Sequence, residues 1–151
     1  VNNQRKQRMA KKIVSACGGS VENKTIAILG LTFKPNTDDM REAPSLNIIS
    51  DLLKAGASVR VFDPEGIKEA KKCIKLDSVE WCVDAYDATS SADALTIVTE
   101  WNEFRALDFN RLKNIMKGRV MVDLRNIYDP DEVSAAGFEY TCIGRGISRS
   151  N

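Results

Sequence analysis

The stretch that decides the fold lies at residues 24–44 and reads KTIAILGLTFKPNTDDMREAP. Its first part, residues 25–31, contains an unbroken apolar run, which predicts a strand buried on both faces as in a parallel sheet. The run breaks at Gly30, and a polar loop follows over residues 32–42. Apolar residues then recur at helical spacing from Ser45 onward and predict a helix. A strand, a loop and a helix in this order predict one unit of an open α/β sheet, where ligands bind beyond the carboxyl ends of the strands.

Cations follow two of the predicted strands. Lys34 and Arg41 lie in the loop that leaves the first strand, and Arg125 follows a later strand predicted at residues 120–124. Both residue types suit phosphate, Arg through its planar fork and Lys as a point charge. If the strand order is Rossmann-like, the strand ends that lead to Lys34, Glu100 and Arg125 meet at one edge. Two separated cations along one crevice would suit a nucleotide that carries phosphates.

The rest of the chain alternates strands with helices. Further strands are predicted at residues 59–62, 79–83, 94–99 and 138–143, and helices at 1–17, 66–73, 85–91, 108–116 and from Pro130 to about 136. This alternation predicts right-handed crossovers and one doubly wound, Rossmann-like parallel sheet of about six strands. Residues 1–19 are either a helix with a solvated face or the end of a connecting helix. Residues 20–151 form the α/β domain, with a frayed tail from Gly144.

Composition fits one globular domain and excludes several functions. The 151 residues are 43% hydrophobic and 28% charged, with a net charge of +1, which gives no general attraction to nucleic acid or to a membrane. No apolar run reaches the ~18 residues of a membrane span. Four scattered cysteines indicate a reducing cytosol, and the absence of histidine and of C-x-x-C pairs argues against a structural zinc site. Catalytic pairs that need histidine are excluded. The missing initiator Met suggests a piece of a longer protein.

Two features leave alternatives open. Asp63 ends the second predicted strand, where a dinucleotide-binding fold places the acid that holds the ribose. However, Leu-Thr-Phe-Lys-Pro follows Gly30, so the G-x-G-x-x-G signature is missing and a turn-forming role for Asp63 is favoured. Trp101 and Phe104 follow the strand at 94–99 and suit either stacking on a base or closing the core, with closure favoured.

Four motifs carry a family resemblance: GLTFKPNTDDMREAP at 30–44, FDP at 62–64, TEWNEF at 99–104 and VDLRNIYDP at 122–130. In order and spacing they resemble the carboxyl-terminal UDP-binding domain of the UDP-glucose 6-dehydrogenases, within the UDP-glucose/GDP-mannose dehydrogenase family. The similarity runs from about residue 2 to residue 145. It implies a cytoplasmic enzyme of polysaccharide biosynthesis that oxidises UDP-glucose to UDP-glucuronate in two NAD-dependent steps.

The resemblance also implies residue roles. Phe33 and Lys34 contact the substrate, Arg125 contacts the UDP-sugar, and Arg41 reaches across an interdomain cleft toward the NAD pyrophosphate. The family's catalytic cysteine, in a G-G-x-C-F-P-K-D segment, and its glycine-rich NAD motif have no counterpart in this sequence. The resemblance thus implies an inactive fragment that binds the nucleotide sugar. It further implies that the parent is a homodimer formed through a central helical region, whose end residues 1–19 resemble.

Structural ion pairs are the alternative interpretation of the cations. Arg41 lies close in sequence to Asp38 and Glu42, either of which is a candidate partner. For Arg125, the alternative to a substrate-binding role is an ion pair with an acid that the sequence does not identify. Asp38 and Asp39 are expected to orient Lys34 or Arg41, or to cap the loop.

Three other functions compete with UDP-glucose oxidation. The same domain of a GDP-mannose or UDP-N-acetylmannosamine dehydrogenase shares the fold and the lysine loop, and TEWNEF favours UDP-glucose by resemblance alone. A free-standing dinucleotide-binding module fits the fold and Asp63 but lacks the glycines. A non-catalytic, flavodoxin-like interaction module would use the basic helix, since residues 1–12 are rich in Lys and Arg and contain no acid.

Overall fold

The structure, a computed structural model, describes residues 2–74 and 79–143, with side chains from residue 8 onward. The helices are α1 (Asn2–Ala16), α2 (Pro44–Lys54), α3 (Ile67–Cys73), α4 (Ala85–Thr89), α5 (Asn102–Arg105), α6 (Phe109–Ile115) and α7 (Pro130–Ala135). The strands are β1 (Thr25–Leu29), β2 (Ser58–Phe62), β3 (Val79–Trp81), β4 (Ala94–Ile97), β5 (Val120–Asp123) and β6 (Glu139–Cys142). The fraying expected from Gly144 falls outside the described residues.

The strands of the described ranges form one six-stranded sheet in the order β3-β2-β1-β4-β5-β6. Every neighbouring pair is parallel. This is the order of a Rossmann-type sheet, in which the direction of winding reverses between β1 and β4. The predicted doubly wound parallel sheet is therefore confirmed, and the carboxyl ends of β1, β4 and β5 lie side by side.

Helices cover both faces of the sheet. The first face packs against α1, α2 and α3, and the second against α4, α6 and α7. Side chains alternate between the two layers along each strand, so that in β1 Ile28 faces the first layer and Leu29 the second. Both are fully buried. The unbroken apolar run in the sequence is explained by a strand that has no solvated face.

Helix α1 contributes to the core. Ile13 is fully buried, and Ala10 and Cys17 are nearly so. The helix packs against α2 and β5, beside the part of the first face that α2 covers. Gly18 and Gly19 then end it with φ values of 92° and 99°, as the sequence predicted. The helix also has the expected solvated face, on which Arg8, Lys11 and Ser15 are exposed. Its continuation from a connecting helix and the domain boundary after residue 19 stay predictions.

Element boundaries differ from those predicted by at most two residues. The clearest case is the end of β4, predicted at Thr99 but found at Ile97. The Thr99 hydroxyl donates instead to the backbone carbonyl of Thr32 at 2.6 Å, which ties this residue to the loop after β1. The one-turn helix α5 was not predicted, because four residues are too few to show a helical period.

Cysteines 17, 73, 82 and 142 are free thiols. Within residues 2–74 and 79–143, no three His, Cys, Asp or Glu side chains are grouped to hold a metal ion.

In the same part of the chain, no helix has both the length and the apolar character that crossing a bilayer requires.

The packing of α2 on the sheet predicts a graded response to truncation. Ile49 is 1% exposed, so Ile49→Ala is expected to lower the free energy of unfolding by about 2–5 kcal/mol, because a cavity remains in the core. Leu53, half-buried on the same helix, is the matched control, and Leu53→Ala is expected to cost about 1 kcal/mol. Urea denaturation measures both, and equal losses would contradict the burial described.

Candidate functional site

The candidate substrate-binding residues lie on loops that leave the same edge of the sheet. Phe33 and Lys34 follow β1, and Arg125 follows β5, with β4 between these strands. At the ordinary strand spacing, the two loops start about 10 Å apart. The structure therefore brings the two cations to one edge rather than to opposite sides of the molecule.

The loop that carries Lys34 is fixed at its base. The Phe33 amide donates to the backbone carbonyl of Asp39 at 2.9 Å, which closes the loop on itself. The Thr32 hydroxyl donates to the carbonyl of Lys34 at 2.9 Å. Above this base, Phe33 is 46% exposed and Lys34 is exposed as well. The loop thus presents an aromatic ring and an ammonium group toward solvent.

Asp63 forms the turn after β2, as the sequence analysis favoured. The residue is 2% exposed. One oxygen, Oδ1, accepts hydrogen bonds from the amides of Glu65 at 2.8 Å and Gly66 at 2.7 Å. These bonds close the turn that leads into α3.

The other oxygen of Asp63 makes contacts that the sequence analysis missed. Oδ2 accepts from the amides of Leu31 at 2.6 Å and Thr32 at 3.1 Å, and from the indole Nε1 of Trp101 at 3.1 Å. These donors belong to the loops after β1 and β4. The FDP motif signals a turn, but the sequence carries no signal that joins three segments so far apart in the chain.

The aromatic pair after β4 closes the core. Trp101 is 7% exposed and Phe104 is fully buried. Phe104 packs edge-to-face against Phe62, with ring centroids 6.3 Å apart. The favoured interpretation is confirmed, and an exposed base-stacking surface formed by these two rings is excluded.

An open pocket of about 370 Å³ lies beside Trp101 at the carboxyl edge. The residues that complete its lining are Asn36, Thr37, Asp38 and Glu65. Two of these are acids and none is a cation, so the pocket is poorly suited to a diphosphate. The cations of the β1 and β5 loops are better placed for phosphate.

Arg125 forms an ion pair, which the sequence indicated as the alternative to substrate binding. Its Nη2 donates to Glu100 Oε2 at 2.8 Å, and the two side chains are 33% and 27% exposed. Burial opposes the charge of Glu100, but hydrogen bonding from Arg125 prevails and lowers the pKa of Glu100 from its ordinary 4.5. The backbone of Arg125 is also fixed, since its amide donates to Asp123 Oδ1 at 3.0 Å. A phosphate that binds Arg125 would meet a guanidinium already oriented.

Arg41 is oriented by Asp39. Two hydrogen bonds join the side chains, from Nε to Oδ1 at 3.0 Å and from Nη2 to Oδ2 at 3.1 Å. Hydrogen bonding from Arg41 lowers the pKa of Asp39. The expected orienting role of Asp39 is confirmed. The local ion pair of Arg41 is also made with Asp39, a residue that the sequence had not indicated as its partner, since Asp38 and Glu42 were the candidates. The Arg41 side chain stays 89% exposed on the outer side of the loop.

A six-stranded sheet of Rossmann order with cations on its carboxyl-edge loops places the chain in the class of doubly wound nucleotide-binding folds. Residues 27–130 match the family described as the UDP-glucose/GDP-mannose dehydrogenase family, UDP binding domain. The chain belongs to this family, as its carboxyl-terminal UDP-binding domain.

Named relatives agree with this assignment. The chain is 53% identical to a UDP-glucose 6-dehydrogenase of Rhizobium meliloti (strain 1021), over 96% of this chain and 33% of that protein. A solved NDP-N-acetyl-D-galactosaminuronic acid dehydrogenase from Methanosarcina mazei Go1 superposes with a TM-score of 0.81 at 28% identity, over 97% of this chain and 30% of that one. A solved UDP-glucose dehydrogenase from Pyrobaculum islandicum superposes with a TM-score of 0.74 at 29% identity, over 92% of this chain and 29% of that one. The chain spans about a third of the length of these proteins.

The ion pair at Arg125 predicts a pH dependence of stability. Because the folded-state pKa of Glu100 is lowered, its charge stabilises the fold above the unfolded-state pKa, and this contribution is lost as pH falls through the folded value. Between about pH 6 and pH 3, wild type should lose up to about 1 kcal/mol more stability than Glu100→Gln. Urea denaturation at both pH values measures this. Glu139→Gln, at an exposed position of β6, is the control, and a Glu100→Gln variant with the wild-type slope would refute the effect.

Proposed function

We propose that this chain is the part of a UDP-glucose 6-dehydrogenase that holds the UDP portion of UDP-glucose. The observation that carries the proposal is the pair of cations on loops two strands apart at one sheet edge, in a chain 53% identical to a protein of that name. The parent enzyme would oxidise UDP-glucose to UDP-glucuronate with two NAD, in the cytoplasm and for polysaccharide biosynthesis.

In this proposal Lys34 and Arg125 bind the diphosphate. A cation–phosphate hydrogen bond is roughly twice as strong as a neutral one, and more so where water is excluded. Both groups are prepared for binding, Lys34 by the closed base of its loop and Arg125 by its contact with Glu100. The exposed ring of Phe33 would contact the substrate beside Lys34. The contribution of this chain is to bind and orient, and it supplies no catalytic residue.

NAD would be held mainly by parts of the enzyme outside this chain. When bound, it would accept hydride from the sugar. Arg41 fits a role at its pyrophosphate, because the guanidinium is 89% exposed and Asp39 fixes its direction. The outward position on the loop suits contact with a second domain across a cleft. The parent is proposed to be a homodimer.

A second candidate is the same domain acting on another nucleotide sugar, such as GDP-mannose or UDP-N-acetylmannosamine. The solved neighbours support keeping it as a candidate, since the one from Methanosarcina mazei is an NDP-N-acetyl-D-galactosaminuronic acid dehydrogenase and shares the fold with a TM-score of 0.81. The nucleotide base distinguishes GDP-mannose from the UDP-sugars, although it does not distinguish one UDP-sugar from another. Tighter binding of UDP than of GDP supports a UDP-sugar, and the reverse supports GDP-mannose.

Calorimetric titration with UDP tests the role of Lys34. Lys34→Ala is expected to raise the Kd for UDP about tenfold, because it removes one charge-assisted contact to phosphate. Lys54→Ala is the matched control, since Lys54 is an exposed lysine at the end of α2, toward the opposite edge of the sheet. The same titration with GDP decides between the bases. If UDP binds the wild type and Lys34→Ala alike, the assignment of Lys34 is wrong.

A further inference from the structure

The carboxylate of Asp63 is fully occupied by donors from the protein. A carboxylate offers about four lone-pair sites, and five N–H groups of this chain lie within 3.1 Å of its two oxygens. Asp63 is also buried, with 2% of the residue exposed. In a dinucleotide-binding fold the acid at this position binds ribose hydroxyls, which requires acceptor sites that are open to the ligand. Here no such site remains, so Asp63 has another task.

A short path of hydrogen bonds leads from Asp63 to Lys34. Asp63 fixes the amides of Leu31 and Thr32, the two residues before Phe33. The Thr32 hydroxyl then donates to the carbonyl of Lys34 at 2.9 Å. The Lys34 backbone is therefore tied to the carboxylate through a single intervening residue.

The loop after β4 fastens the same segment from the other side. The Thr99 hydroxyl donates to the carbonyl of Thr32 at 2.6 Å, and both side chains are buried. Two glycines make these approaches possible. A Cβ at Gly30 would lie 2.5 Å from the Thr99 amide nitrogen, and one at Gly66 would lie 2.6 Å from Thr32 Cγ2. Thr32 is thus held between the turn after β2 and the loop after β4.

We propose that Asp63 is a positioning residue that sets the direction in which Lys34 meets the phosphates of the nucleotide. The inference rests on the proposed function for the role of Lys34 and extends it to a residue that touches no ligand. It also explains why this Rossmann-type sheet has an acid at the end of β2 without a glycine-rich motif. The acid orders the loops of the protein and does not bind a ribose.

The central experiment is UDP titration of Asp63→Asn. The amide is isosteric, but its NH₂ group must face either the amides of Glu65 and Gly66 or those of Leu31 and Thr32, so one set of hydrogen bonds is lost. The Kd for UDP is expected to rise about tenfold while the domain stays folded. Thr89→Val is the matched control, since it removes a buried hydroxyl that donates to the carbonyl of Ala85, in a helix that leads to the opposite edge. It should lower stability and leave the Kd within about twofold.

A double-mutant cycle separates positioning from general destabilisation. If Asp63 acts through Lys34, Asp63→Asn combined with Lys34→Ala should bind UDP no more weakly than Lys34→Ala alone, within about twofold. Additive losses would overturn the proposal. So would an unchanged Kd for Asp63→Asn in a protein where Lys34→Ala weakens binding.

Amide hydrogen exchange gives a readout that needs no ligand. Asp63→Asn should accelerate exchange at Leu31, Thr32 and Phe33, whereas Thr89→Val should not; unchanged rates in Asp63→Asn would refute positioning. Wild type that fails to bind UDP would count against the proposed function, and the exchange data would still decide on Asp63. If Asp63→Asn does not fold, Thr32→Val tests the last link to Lys34, with an expected rise in Kd of about threefold. An unchanged Kd there would also overturn the proposal.

Discussion

One buried carboxylate, that of Asp63, holds the carboxyl edge of the sheet together. A charge removed from water is costly unless hydrogen bonds replace the solvent, and here backbone amides and an indole do so from three separate segments. The segments leave β1, β2 and β4, and their chain connections run through helices on opposite faces. The carboxylate therefore joins three segments that are distant along the chain. One of them leads into the loop that carries Phe33 and Lys34, and the carboxylate fixes the start of that loop.

A second buried carboxylate, Asp123, does the same work at the end of β5. It is fully buried and accepts hydrogen bonds from the amides of Arg125, Ile127 and Tyr128 and from the hydroxyl of Tyr140. Each of the two cations proposed for phosphate is thus carried on a loop whose base is fixed by a buried acid. Loops ordered before the ligand arrives lose less conformational entropy on binding, which favours affinity without any added contact.

The fold could be predicted from the sequence because its signals are local. The hydrogen bonds that fix the loops of the site could not be predicted. The apolar run at 25–31 and the alternation of elements predict a doubly wound sheet, and that topology alone brings Lys34 and Arg125 to one edge. Asp63 accepts hydrogen bonds from Leu31, 32 positions before it, and from Trp101, 38 positions after it, and no local pattern in the sequence records such contacts. Gly30 is informative in the same way: its sequence context shows only that a phosphate-binding motif is missing, whereas the structure shows Thr99 against it.

The indole of Trp101 gives this arrangement an optical consequence. The sequence contains two tryptophans, and Trp101 is the buried one, with its Nε1 bonded to Asp63; Trp81 is half-buried on β3, with the ammonium of Lys71 above its ring. A fluorophore therefore stands at the junction of the loops, where its emission senses the charge and hydration of the carboxylate beside it. Loosening of the junction that leaves the rest of the sheet intact would register as a spectral change of Trp101 ahead of global unfolding, so the domain carries an intrinsic probe of its own loop order.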